Sequence, residues 1–138
     1  MKFAAFSIAE MPAFMLQFSK DTCIAGRLAK LGAIIWYITI FGCALLFFGI
    51  GVYASKLSKP MWFWSGSSVD ASKIADVAAY NKENARMWKI YSLWYWASGF
   101  AYIFSPLTAV ILLLLGCSIG IVILVKTYLK ITNKYARP

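Results

Sequence analysis

The chain has 138 residues, of which 62% are apolar and 14% charged, with 14 Lys and Arg against 5 acids and no histidine. Soluble domains carry about 45–50% apolar and about 25% charged residues, so this composition excludes an ordinary water-soluble core and belongs in a bilayer. Without histidine, and with Glu10, Asp21, Asp70, Asp76 and Glu83 all outside the longest apolar runs, the usual proton-transfer groups are missing, while Cys23, Cys43 and Cys117 fit no metal or redox spacing.

Residues 1–30 are aromatic and apolar but interrupted by Glu10 and Pro12. The interruption argues against a secretory signal, and the run is too short to span, so this segment is expected to lie amphipathically at the membrane surface. The alternative is a re-entrant segment.

Residues 31–55 contain no charge between Lys30 and Lys56, a length that suits a spanning helix of about 20 residues or more. Trp36 and Tyr53 lie near its ends, where amphipathic rings favour the interface.

Residues 56–87 form a polar loop. Trp62, Phe63 and Trp64 precede an abrupt change to Ser-Gly-Ser-Ser and read, with Trp88, as interfacial anchors. Asp70 occupies a good N-cap position, and Ile74, Val77, Ala78 and Ala85 recur at helical spacing, which predicts an amphipathic helix from about residue 71 toward Trp88. Its polar face gathers Asp76, Tyr80, Asn81, Glu83 and Arg86. These are the candidate partner-binding residues, with a solvated helix face as the simpler alternative.

The next apolar stretch runs from residue 90 to 125 and would be roughly 54 Å long as one helix, well beyond a hydrocarbon core of about 30 Å. Ser105-Pro106 divides it, because proline disfavours helix in the residue before it and suits the first turn of a new one. The expectation is a second span over 88–104 and a third over 106–125, followed by a basic tail, 126–138. Gly116 and Gly120 form a Gly-x-x-x-Gly pair that permits close helix approach, with Gly49 and Gly51 of the first span as candidate partners.

Lys and Arg number four before the first span, six in the loop and four in the tail. Three spans put ten on one side against four, whereas two spans give eight against six. The positive-inside rule therefore favours three spans, in the cell membrane, with the loop and C-terminus cytoplasmic. This arrangement assigns the net charge of +9 to anionic headgroups rather than nucleic acid.

The layout from Lys59 onward, with the aromatic exit Met-Trp-Phe-Trp-Ser-Gly, a linker, a helix bearing Tyr80-Asn81 and Trp88, then a hairpin of spans, resembles the small Sdp-type immunity membrane proteins. That resemblance implies an integral membrane protein that protects its producer from a membrane-active peptide.

The expected class is thus an all-α polytopic membrane protein without catalytic, cofactor or metal site, which binds a protein or peptide partner. The alternative is a subunit of an oligomeric channel or transporter, packed through the glycine face. No Lys, Arg, Asp or Glu lies at depth in the first or third span, which argues against ion-coupled transport.

Overall fold

The computed structural model describes the backbone of residues 11–63 and 69–137. These residues are helical almost throughout: α1 (Met11–Lys56), α2 (Val77–Phe104), α3 (Pro106–Leu115) and α4 (Ile121–Tyr135), with a π-helical turn, Gly116–Gly120, joining α3 to α4. Two helical segments, Ile24–Lys56 and Pro106–Tyr135, are long and apolar enough to cross a membrane. Most large apolar side chains on them, among them Ile38, Leu46, Leu114 and Ile123, are exposed, the arrangement expected where lipid rather than water is the surrounding medium.

Contacts divide the chain into two compact units, Met1–Trp36 and Tyr37–Pro138. In the first unit the described backbone is helical from Met11, and Pro12 lies in the opening helical turn, where its missing N–H costs nothing. The helix continues without a break through residue 30, so no helix boundary separates residues 11–30 from the expected first span. Gly26 and Gly32 are isolated, and single glycines weaken a helix by about 1 kcal/mol each without ending it.

In the second unit α2 packs against the C-terminal half of α1 on one side and the α3–α4 hairpin arm on the other. Ser105 makes the reversal: its backbone is extended, its N–H donates to the Ala101 carbonyl at 2.9 Å, and its hydroxyl accepts from Thr108 N–H at 3.3 Å. Close crossing requires small residues at the contact. Ala109 is fully buried, and Ser98 donates to its carbonyl at 2.8 Å.

The glycines are used differently from the expected pairing. Gly116 and Gly120 face Trp94 and Tyr91 of α2, where an added Cβ would lie 3.2 Å from Trp94 Cβ and 3.2 Å from the Tyr91 ring, respectively. Gly51 also faces α2, while Gly49 has nothing within 4 Å. The physical reason is order along the bundle: α2 lies between the glycines of α1 and those of the π turn. The π turn also exposes a carbonyl, that of Gly116, which accepts from the Tyr91 hydroxyl at 3.3 Å.

The loop helix starts later than its pattern predicts. Asp70 does cap, with Oδ1 accepting from Ser72 N–H at 3.0 Å, but it caps only a 3₁₀ turn, Ala71–Lys73. Ile74 is extended because it pairs with the tail in an antiparallel bridge to Ala136, flanked by Ala75 N–H to Tyr135 carbonyl and Arg137 N–H to Lys73 carbonyl, both 2.8 Å. A second aspartate, Asp76, then caps α2 by accepting from Ala79 N–H at 2.9 Å. Local spacing signalled one cap correctly, and long-range pairing decided which one begins the helix.

Candidate partner-binding surface

The five residues expected on one polar face have four different placements. Asp76 is engaged as the α2 cap. Tyr80 and Asn81 turn inward, at 0% and 2% exposure. Glu83 pairs with the tail, and Arg86 is an exposed side chain that borders, with Glu83, two surface grooves.

The inward pair has a clear cause. Residues 57–61 leave α1 without forming a helix or strand, so their backbone groups need side-chain partners. Asn81 supplies three bonds: Oδ1 accepts from Met61 N–H at 2.8 Å, and Nδ2 donates to the carbonyls of Leu57 at 2.9 Å and Lys59 at 2.8 Å. The Tyr80 hydroxyl donates to the Met61 carbonyl at 3.0 Å and lies 3.3 Å from the Tyr128 hydroxyl. Burial, reinforced by Tyr128, pushes the Tyr80 phenol above its ordinary value, so it stays protonated and remains a donor. Tyr80 and Asn81 therefore hold the loop in place rather than face a partner.

Aromatic packing closes the same end. Trp88 is 8% exposed and stacks between Phe47 of α1, at 5.8 Å, and Phe63 of the loop, at 5.6 Å. Phe63 also meets Tyr128 of α4 at 4.8 Å. Trp88 and Phe63 thus join α1, the loop, α2 and α4 instead of anchoring at an interface. Trp62 is 56% exposed, and Trp64 lies outside the described residues.

The tail is fastened through Glu83, whose Oε1 accepts from Lys134 Nζ at 2.5 Å and from the Tyr135 hydroxyl at 2.9 Å. Those two donors, Lys134 first, hold the Glu83 carboxyl below its ordinary value. With the bridge at Ile74 and Ala136, the loop, the start of α2 and the end of α4 form one interlocked polar cap.

Two concave surfaces border this cap. One, of about 1000 Å³, runs between α1 and α2 and combines Lys82, Arg86 and Lys89 with apolar side chains from both helices. The other, of about 390 Å³, lies between α2 and α4 beside Arg86, Lys130 and Lys134. Of these cations Arg86 is among the candidate partner-binding residues, and Lys82 and Lys89 are not. The signal was present as a stripe at 82, 86, 89, 93 and 96, spacings of four and three that repeat on one helix face.

Comparison with protein families, with curated proteins and with solved structures returns no match.

Proposed function

We propose that this is a three-span, non-enzymatic membrane protein that binds a protein or peptide partner through its interlocked loop and tail. The observation that carries the reading is the mutual fastening of residues 73–75 to residues 135–137, which makes an ordered polar surface beyond the apolar helices. Lys73, Lys130 and Arg137 are exposed on that cap, so the partner segment is acidic by charge complementarity. A loop with no partner has little need of such fastening, since connecting segments are ordinarily the least ordered part of a chain.

The second of the three spans is α2. Its charge-free part, residues 90–104, covers about 22 Å at 1.5 Å per residue. Lys89 and Arg86 extend this length by directing their charged ends toward the headgroups. The loop and tail lie together on the cytoplasmic side, the orientation that the ten-to-four distribution of cations favours.

Within this reading, protection against a membrane-active peptide is the physiological role, following the resemblance of the layout to the immunity proteins. The oligomeric channel draws less support, because Gly116 and Gly120 are already occupied by Trp94 and Tyr91 of the same chain.

Affinity capture from native membranes tests the proposal. The wild-type chain is expected to retain a specific partner, and Lys130→Glu with Arg137→Glu to lose it while keeping the same thermal unfolding midpoint. Retention by the charge-reversed variant, or a purified ring that conducts ions in liposomes, sinks it.

A further inference from the structure

We propose that the groove between α1 and α2 binds one anionic phospholipid, with its phosphate held by Lys82, Arg86 and Lys89 and an acyl chain laid along Phe48, Leu93 and Trp96. The proposal concerns a surface other than the partner-binding cap and stands without it.

The groove is graded along its length. Cations occupy the stretch of α2 from Lys82 to Lys89, about 10 Å at 1.5 Å per residue, and apolar side chains follow over the next 10 Å or so to Trp96. That is the polarity of an amphiphile lying parallel to the helix with its charged end at the membrane surface. A volume of about 1000 Å³ is at the upper end for ligand sites, which run from about 300 to 1,000 Å³.

Both helices build it. An added Cβ on Gly51 would lie 2.7 Å from Lys89 Cγ, so the glycine makes room for the Lys89 stem against α1. The Lys89 ammonium then lies 5.9 Å from the centre of the Phe48 ring, at the boundary between the basic and apolar parts. Glu83, the acid at the rim, is engaged by Lys134 and Tyr135. Three cations therefore converge on the groove while its carboxylate is directed to the tail, and an anionic headgroup is the complement.

The orientation agrees. The basic end of the groove lies at the end of the bundle where the cations concentrate, which the positive-inside rule puts at the cytoplasmic leaflet. Anionic lipids there attract basic segments by about 1 kcal/mol for each Lys or Arg near the surface.

Native mass spectrometry of the full-length protein in detergent, titrated with phosphatidylglycerol and separately with phosphatidylcholine, reads the site. One phosphatidylglycerol is expected to remain bound at concentrations at least about tenfold below those needed for phosphatidylcholine, equivalent to about 1.4 kcal/mol. Lys82→Gln with Arg86→Gln should abolish that preference, whereas Lys126→Gln with Lys130→Gln, an equal loss of charge outside the groove, should keep it. Leu93→Trp, which fills the apolar part, should weaken retention of phosphatidylglycerol at least fivefold with an unchanged unfolding midpoint.

Equal binding of the two lipids, equal loss in both charge variants, or unaltered retention by Leu93→Trp overturns the proposal. So does a peptide retained in the groove, located by cross-linking from position 93, when the protein is isolated from native membranes.

Discussion

Asn81 holds Met61: the Asn81 side-chain oxygen accepts the Met61 N–H at 2.8 Å from twenty positions along the chain, while its amide nitrogen donates to two carbonyls of the same descending segment. One side chain thus replaces the secondary structure that residues 57–61 lack. Asn81→Leu would leave the buried Met61 N–H and the part-buried Leu57 and Lys59 carbonyls without their partner, at about 1–3 kcal/mol for each group that water does not reach. The expected outcome is a loss of about 2–4 kcal/mol in detergent unfolding and faster tryptic cleavage after Lys56, the Lys59-Pro60 bond being resistant. An unchanged midpoint would mean that the loop does not depend on the clamp.

Gly51 and Gly49 make a matched pair for a second measurement. A Cβ at residue 51 would lie 2.8 Å from the Ala85 carbonyl oxygen, which belongs to the backbone of α2 and cannot yield without moving the helix. Gly51→Ala should therefore cost about 1–3 kcal/mol as an overpacking change. Gly49→Ala meets nothing within 4 Å and should be neutral or stabilising by about 0.5–1 kcal/mol, because alanine is the better helix former. Thermal unfolding of the two variants side by side checks the difference, and equal effects would contradict the α1–α2 packing.

What could be read from sequence divides along physical lines. Lipid-facing helices announce themselves by composition, and the Ser105-Pro106 reversal by the chemistry of proline, since both are local properties. The residues that mattered most at the polar end were misjudged for a different reason. Tyr80 and Asn81 look like surface residues because their polarity is visible, while the unpaired backbone of residues 57–61 that draws them inward is a property of another segment. Trp88 likewise resembles an interfacial anchor until Phe47 and Phe63 are brought to its two faces by α1 and the loop. The late start of α2 had the same origin, because the Ile74–Ala136 bridge joins residues sixty-two positions apart. Lys82 and Lys89 were legible as a stripe, but only the groove beside α1 gave the stripe a meaning.

Acidification should release the tail. The folded protein holds the Glu83 carboxyl below its ordinary value, through the Lys134 hydrogen bond first and that of Tyr135 second. A depressed carboxylate contributes stability above its ordinary range, and that contribution is lost as pH falls through the lowered folded value. The effect is modest, since Glu83 is 37% exposed and solvent screens the pair. Spin labels at residues 72 and 133 should show one narrow distance distribution at pH 7 that broadens in the acid range. Glu83→Gln should broaden it at pH 7 and remove the pH dependence. A distribution that stays narrow throughout would show that the Ile74–Ala136 bridge fastens the tail alone.

Cysteine labelling tests whether α2 crosses the membrane. Residues 72 and 133 lie at the end where α2 begins and α4 finishes, and Thr108 lies beside the reversal at the other end of α2. If α2 spans, cysteines at 72 and 133 react with an impermeant maleimide from one side of the membrane and a cysteine at 108 reacts from the other. In intact cells the first two should be protected and the third exposed if, as proposed, the ten cations lie on the cytoplasmic side. Reaction of all three from the same side would leave α2 and the α3–α4 arm as a hairpin that enters without crossing. In that case the basic end of the α1–α2 groove would not be confined to the cytoplasmic leaflet by a transmembrane α2.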